Sequence, residues 1–150
     1  MEVYRICLEK WSHELKASGV GGRWNSKGKL VIYTAASRAL ACLENIVHRS
    51  GEGLNNSFKV LTIDIPDSIK IAEVNTSSMN KNWYEYSNYS YCRNIGDKWI
   101  DKCEALILKV PSAIIPAESN YLINPAHRDF KKVKIVSSEN FNFDPRVKNI

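Results

Sequence analysis

The sequence lacks several features that would assign it to a membrane, secreted or metal-binding class. It has no apolar run of about 18 residues, so no segment is predicted to span a bilayer. Its first residues, Met1-Glu2-Val3-Tyr4-Arg5, do not resemble a signal peptide, and we expect a cytoplasmic protein. It has no CxxC pair and no histidine cluster, so no metal site is predicted. The four cysteines are widely spaced and are expected to be buried thiols: Cys7, Cys42, Cys92 and Cys103.

A concentrated basic segment is also missing, although the net charge is +5. The densest basic cluster contains only Arg128, Lys131, Lys132 and Lys134. Direct nucleic-acid binding is therefore not expected. A weakly basic surface suits an acidic protein partner or a phosphate-bearing small molecule equally well.

The chain has no repeat or low-complexity linker, and residues 1–150 are predicted to form a single compact domain. Ser37 is a candidate N-cap for a helix that ends near His48, and residues 95–99 indicate a short helix. Six short strands are predicted, at residues 29–33, 59–65, 71–74, 105–110, 121–124 and 133–136. Because strands outnumber helices and follow one another, we predict an α+β fold with mainly antiparallel short strands and few helices. Residues 75–94 are interpreted as a long loop that covers a site, and residues 139–150 as a loosely ordered arm.

Three residue types suited to nucleotide chemistry occur close together in the first third of the chain. The segment Gly21-Gly22-Arg23-Trp24-Asn25 combines glycines, which allow close backbone approach, with a planar cation suited to phosphate. Tyr33 follows at the end of a predicted strand. Glu44 lies at the edge of the apolar face of the predicted helix, where a carboxylate is partly desolvated but within reach of a ligand. Each has an ordinary structural explanation alone; together they predict a site that holds a nucleotide and cleaves a sugar bond.

A second candidate segment follows the strand at 105–110. Ser112 comes directly after this strand and Pro111, where its hydroxyl can face a pocket at the sheet rim. No nucleophile elbow surrounds it, so we interpret Ser112 as a hydrogen-bonding residue and not as a nucleophile. His127, two residues after Pro125, is interpreted as a structural histidine.

These motifs resemble, in order along nearly the whole chain, the RES domain. The matching segments are 4–6, 21–25, 33–34, 43–45, 95–99, 110–112 and 120–127. The resemblance implies a fold similar to ADP-ribosyltransferase toxins. It also implies the toxin of a bacterial type II toxin–antitoxin pair, with an Xre-like antitoxin as partner. Such toxins degrade NAD⁺ by hydrolysis or by phosphorolysis, so inorganic phosphate is a candidate co-substrate and no further cofactor is expected.

The resemblance also implies the site residues. Glu44, Arg23 and Tyr33 would be catalytic, and the substrate-binding candidates are Ser112, Arg5, Asn25 and Asn124. The nicotinamide of NAD⁺ is already a cationic leaving group, so a single carboxylate suffices to stabilise the oxocarbenium-like sugar. Arg23 would hold the diphosphate or a ribose oxygen, Tyr33 would stack on nicotinamide, and Ser112 would steady the ribose or the carboxamide.

Two other functions remain open at this point. The same site could transfer ADP-ribose to a protein acceptor. A non-enzymatic nucleic-acid-binding protein is suggested by the positive charge and seven tyrosines, but the chain has no basic stripe to support it. The sequence leaves open the choice between water and phosphate, and the oligomeric state, a homodimer included.

Overall fold

The computed structural model describes residues 1–48 and 57–149, which form seven strands, two α-helices and short 3₁₀ turns. In chain order the main elements are β1 Glu2–Leu8, β2 Ile32–Ala35, α1 Arg38–His48, β3 Phe58–Asp64, β4 Ile71–Glu73, α2 Tyr89–Lys102, β5 Ile107–Pro111, β6 Ser119–Ile123 and β7 Lys134–Phe141. The strands form one sheet in the order β4-β5-β6-β2-β1-β3-β7. Among the described strands only the β4–β5 pair is parallel, which confirms the predicted α+β class with mainly antiparallel strands.

Both faces of this sheet are covered by apolar packing. One face contributes Val3, Ile63 and Ile107 to a large buried cluster. On the other face, α2 places Trp99 in a cluster with Trp24, while α1 packs onto the neighbouring strands through a separate group that includes Leu40 and Phe58. Within the described part of the chain, no helix is long and apolar enough to cross a membrane.

The sheet opens between β1 and β2, its two central strands. These strands pair at a single position, Tyr4 with Ala35, whereas β1 pairs with β3 along its whole length. Beyond this position the two strands diverge, and the carbonyl oxygen of Ile6 accepts a hydrogen bond from Asn45 Nδ2 of α1 at 3.0 Å. The gap between β1 and β2 therefore forms a cleft that is lined by residues of both strands.

Several predicted boundaries were wrong. Strand β1 was not predicted, and β2 lies three residues later than the predicted 29–33 strand. Residues 75–94 are not one long loop, because 3₁₀ turns occupy 76–78 and 86–88 and α2 already begins at Tyr89. The predicted arm does not begin at residue 139, since β7 continues to Phe141 and Phe143 is buried against Phe58.

Candidate active site

A pocket of about 410 Å³ lies where β1 and β2 separate. Strand residues from both sides line it, α1 closes one wall, and the 20–24 segment closes another. Four of the predicted site residues line this pocket: Arg5, Arg23, Tyr33 and Glu44. The structure therefore brings together residues that lie far apart in the sequence.

Glu44 projects from the middle of α1, whose first turn is capped by Ser37 Oγ accepting from the Leu40 amide at 3.1 Å. Its side chain is 18% exposed, so it is largely desolvated but still reachable from the pocket. Oε1 accepts from Ser112 Oγ at 2.8 Å and from Asn120 Nδ2 at 2.6 Å. Oε2 lies 3.1 Å from His48 Nε2, one helical turn onward. The two carboxylate oxygens thus have separate sets of partners.

The surroundings of Glu44 favour its charged form. Burial acts to raise the pKa of this carboxyl, but the hydrogen bonds from His48, Asn120 and Ser112 outweigh burial and lower the pKa below its usual 4.5. Glu44 is accordingly a carboxylate at neutral pH. A fixed negative charge in a partly desolvated pocket is suited to stabilising positive charge on a bound ligand.

Ser112 lies behind Glu44 and is completely buried. Its Oγ accepts hydrogen bonds from the amides of Ile114 at 3.1 Å and Ile115 at 3.2 Å. Because these two amides donate to the lone pairs of Ser112 Oγ, the hydroxyl hydrogen points to the Glu44 carboxylate. The geometry supports a positioning role for Ser112 through Glu44, with no surface of its own in the pocket.

Asn120, the other partner of Oε1, was not among the predicted site residues. It lies on β6 opposite Ala35 of β2, which brings its amide under α1. Among the described residues its Oδ1 is a buried oxygen without a hydrogen-bond partner, so the side chain makes only the bond from Nδ2 to Glu44. The segment 120–127, which resembles the RES domain, contains both Asn120 and Asn124, so the sequence carried only a weak signal for Asn120.

Arg23 presents a positive charge to the pocket. Its Nη1 donates to the carbonyl oxygens of Trp83 at 3.1 Å and Glu85 at 3.5 Å. The guanidinium carbon lies 4.4 Å from the ring centre of Tyr89, in cation–π contact. Among the described residues no acidic side chain forms an ion pair with Arg23. An anionic ligand would supply the negative charge that pairs with the Arg23 guanidinium.

Tyr33 and Asn25 hold the glycine-rich segment against the sheet. The Tyr33 hydroxyl donates to Asn25 Oδ1 at 2.6 Å and accepts from the Trp24 amide at 3.1 Å, while its ring lines the pocket. Burial raises the pKa of Tyr33, so it remains a neutral phenol. Asn25 is 1% exposed and donates to the carbonyls of Val20 and Lys29, which makes it a support of the segment and not part of the pocket wall.

The last two predicted substrate-binding residues have different locations. Arg5 lines the pocket, with Nη1 donating to the Lys16 carbonyl at 3.0 Å. Asn124 does not reach the pocket. It is fully buried after β6, where its Nδ2 donates to the Ile100 carbonyl at 3.3 Å and its Oδ1 accepts from the Ala126 amide at 3.0 Å.

The pocket at the split in the sheet thus contains an ionised carboxylate, Glu44, and an arginine, Arg23, that has no acidic partner among the described residues. The family model of the RES domain matches residues 2–144, and the chain belongs to the RES domain family. This confirms the resemblance inferred from its motifs.

Relatives with assigned names extend this comparison. The chain is 39% identical over 152 residues to the "Prs ADP-ribosylating toxin" of Sphingobium sp. (strain YBL2), covering 96% of this chain and 94% of the relative. It is 35% identical over 153 residues to "Toxin Res" of Yersinia enterocolitica, covering 99% and 100%. The fold is similar to a chain in the crystal structure of the M. tuberculosis MbcT–MbcA toxin–antitoxin complex, with a TM-score of 0.73 at 17% identity, covering 99% of this chain and 86% of that one. This protein is thus a homologue of bacterial RES toxins.

Proposed function

We propose that this protein is the toxin of a toxin–antitoxin pair and that it cleaves the nicotinamide–ribose bond of NAD⁺. The observation that carries the proposal is the arrangement of Glu44 and Arg23 at one pocket. Glu44 is a carboxylate there, and Arg23 has no acidic partner among the described residues. NAD⁺ has the complementary charges, a cationic nicotinamide ribose and an anionic diphosphate.

The reaction needs little from the protein beyond electrostatic stabilisation. As the bond between nicotinamide nitrogen and ribose carbon breaks, both bonding electrons leave with nicotinamide, which departs as a neutral molecule. Positive charge develops on the ribose, and the Glu44 carboxylate stabilises it. Water or inorganic phosphate then adds to the same carbon, and the water or acidic phosphate loses one proton to solvent.

The two oxygens of Glu44 would have different roles. Oε1 is fixed by Ser112 and Asn120, so the orientation of the carboxylate is set before substrate binds. Among the described residues, the hydrogen-bond partner of Oε2 is His48 alone, whose side chain is 59% exposed. We therefore assign Oε2 to the ribose, with Tyr33 beside the nicotinamide and Arg23 on the diphosphate.

The experiment is incubation of the purified protein with NAD⁺, with and without phosphate, followed by chromatography of the products. Hydrolysis yields nicotinamide and ADP-ribose, whereas phosphorolysis yields nicotinamide and ADP-ribose phosphorylated on its anomeric carbon. Release of no nicotinamide under either condition, by a protein shown to be folded, would contradict NAD⁺ cleavage by water or phosphate.

Transfer of ADP-ribose to a protein is the second candidate. It is favoured by the name of the Sphingobium relative, an ADP-ribosylating toxin 39% identical to this chain. The same pocket serves this reaction, because only the acceptor changes. Incubation with labelled NAD⁺ and a bacterial lysate separates the two: label on a protein band, with nicotinamide release that depends on the lysate, would favour the transferase.

We further propose that an Xre-like antitoxin inhibits the protein by occupying the pocket. Support comes from the structural neighbour, which was solved as a toxin–antitoxin complex. It also comes from Arg23, which has no carboxylate partner in the described part of the chain and to which a partner segment can supply one. Antitoxin affinity is to be measured with and without a non-cleavable NAD⁺ analogue. Competition should weaken the complex. Unchanged affinity with the analogue bound would show that the antitoxin does not occlude the pocket.

A further inference from the structure

Two tyrosines whose rings contact each other lead from Arg23 to the protein surface. The guanidinium carbon of Arg23 lies 4.4 Å from the centre of the Tyr89 ring. The ring of Tyr86 lies 4.7 Å from the same ring, at an interplanar angle of 44°. We refer to Tyr86 and Tyr89 as the tyrosine pair. The pair connects Arg23, which lines the pocket, with the exposed ring of Tyr86.

Tyr86, the outer member, is unusually exposed for an aromatic residue. It is 83% exposed, more than any other large hydrophobic residue in the described part of the chain. Because one face contacts Tyr89, most of the remaining ring surface is open to solvent. Exposing an aromatic ring in this way forgoes the stabilisation that burial would give, and it leaves a ring face on which a planar base can stack.

The segment that carries the tyrosine pair is held in place at both ends. Before it, Trp83 is 6% exposed and its carbonyl accepts from Arg23. After it, Tyr89 begins α2. Between them, the backbone N–H of Asn88 donates to the Glu85 carbonyl at 3.1 Å, and its side-chain Nδ2 donates to the Asn82 carbonyl at 2.8 Å. Tyr86 is therefore presented by an ordered turn whose position is coupled to that of Arg23.

Positive charge surrounds the inner member of the pair. The guanidinium carbon of Arg93 lies 5.4 Å from the Tyr89 ring, and its Nε donates to the Gly22 carbonyl at 2.7 Å. Like Arg23, Arg93 has no carboxylate partner within residues 1–48 and 57–149. An exposed aromatic face next to unpaired guanidinium groups suits a ligand that combines a planar ring with phosphates.

We infer that Tyr86 is the platform on which the adenine base of the dinucleotide stacks. This inference rests on the proposed function, which places the nicotinamide ribose at Glu44 and the diphosphate at Arg23. The adenosine half must then extend beyond Arg23. Since the Tyr89 ring contacts both groups, the Arg23 guanidinium carbon and the centre of the Tyr86 ring are at most about 9 Å apart. A single ribose bridges this distance between a diphosphate and its base.

The test compares NAD⁺ with nicotinamide mononucleotide, which retains the reacting bond but has no adenine. Loss of base stacking should raise KM for NAD⁺ roughly fivefold to twentyfold in Tyr86→Ala, with kcat unchanged. KM for nicotinamide mononucleotide should stay the same. Tyr86→Phe, which keeps the ring, should behave as wild type. Tyr84→Ala is the matched control, because Tyr84 is also exposed, at 46%, but contacts Trp83 instead of Tyr89.

Two results would contradict the stacking of adenine on Tyr86. One is an unchanged KM for NAD⁺ in Tyr86→Ala, and the other is an equal rise for both substrates, which would indicate a displaced Arg23. Failure of the proposed function is recognised separately, as absence of nicotinamide release by the wild type. In that case the affinity for ADP-ribose, measured by calorimetry, still tests the stacking on Tyr86. Tyr86→Ala should weaken ADP-ribose binding by the factor expected for KM, and equal affinity of variant and wild type would refute the stacking.

Discussion

Replacement of Glu44 by glutamine tests the proposed chemistry most directly, because it removes the charge and preserves the shape. The glutamine oxygen can still accept from Ser112 and Asn120, the partners of Oε1 in the wild type. These hydrogen bonds lose their charge assistance, a cost of about 1 kcal/mol, while the desolvation penalty of a buried carboxylate disappears. We therefore expect a folded protein whose thermal stability is close to that of the wild type.

Catalysis should respond much more strongly than stability. A carboxylate about 4 Å from a developing unit charge interacts with it by roughly 4 kcal/mol at an effective dielectric constant near 20, which suits a side chain that is only 18% exposed. Loss of this interaction in the transition state corresponds to about a 10³-fold fall in kcat. KM should change much less than kcat, because the positive charge lies on the nicotinamide ring in bound NAD⁺ and moves onto the ribose beside Glu44 only as the bond breaks.

The assay is single-turnover release of nicotinamide from NAD⁺ by Glu44→Gln, with Glu104→Gln as the matched control. Glu104 is an exposed glutamate that follows α2 and is absent from the pocket, so its replacement removes the same charge elsewhere. The control should retain wild-type kcat. A folded Glu44→Gln protein with near-normal kcat would refute the role of the carboxylate.

Further predictions concern residues around this carboxylate and the packing beneath it. Arg23→Lys should lose kcat/KM for NAD⁺ about as severely as Arg23→Ala, by roughly tenfold or more, because an ammonium group lacks the planar fork; full activity of the lysine variant would reduce Arg23 to a general cation. Asn120→Asp should abolish nicotinamide release near pH 7, since a second carboxylate 2.6 Å from Glu44 Oε1 would make the two share a proton; retained activity would contradict the contact. The pKa of Glu44 is lowered in the folded protein, so its charge stabilises the fold at every pH above 4.5, the usual pKa of a glutamate. This stabilisation is lost as pH falls through the lower pKa of the folded protein. Glu44 should therefore cause no loss of kcat between pH 7 and pH 5, and a loss in this range that Glu44→Gln removes would contradict the lowered pKa. Gly96→Ala should lower Tm sharply, since an added Cβ would lie 1.8 Å from the Trp24 carbonyl oxygen; an unchanged Tm would show that α2 can move away at little cost.

Elements defined by local sequence signals could be predicted, and those that depend on distant partners could not. Helix α1 was predicted from Ser37 to about His48 because its cap and apolar periodicity are local, and the structure confirms it. Strand β1 was missed, because it lies at the centre of the sheet between β2 and β3 and is buried on parts of both faces, which weakens alternation. The strand β3, with clear alternation, was found within one residue of its bounds.

The candidate site shows the same division between local and distant information. The position of Glu44 at the edge of an apolar helix face follows from helical geometry alone, and the structure places it at the pocket edge. Asn120 could not be selected over Asn124, because the choice depends on the pairing of β6 with β2. This register sets Asn120 opposite Ala35, under α1, while Asn124 follows the strand and turns into the core.

The segment at 75–94 contacts the candidate site through backbone carbonyl groups. Residues 83–85 hold Arg23 through the carbonyl oxygens of Trp83 and Glu85, and every residue type has such a carbonyl. The position of the arginine therefore constrains the backbone of this segment and leaves its exposed side chains largely unconstrained. An exposed residue such as Tyr86 is then able to take up a contact of its own without disturbing Arg23. The exposed side chains of this segment are therefore where differences in substrate recognition among relatives should be sought.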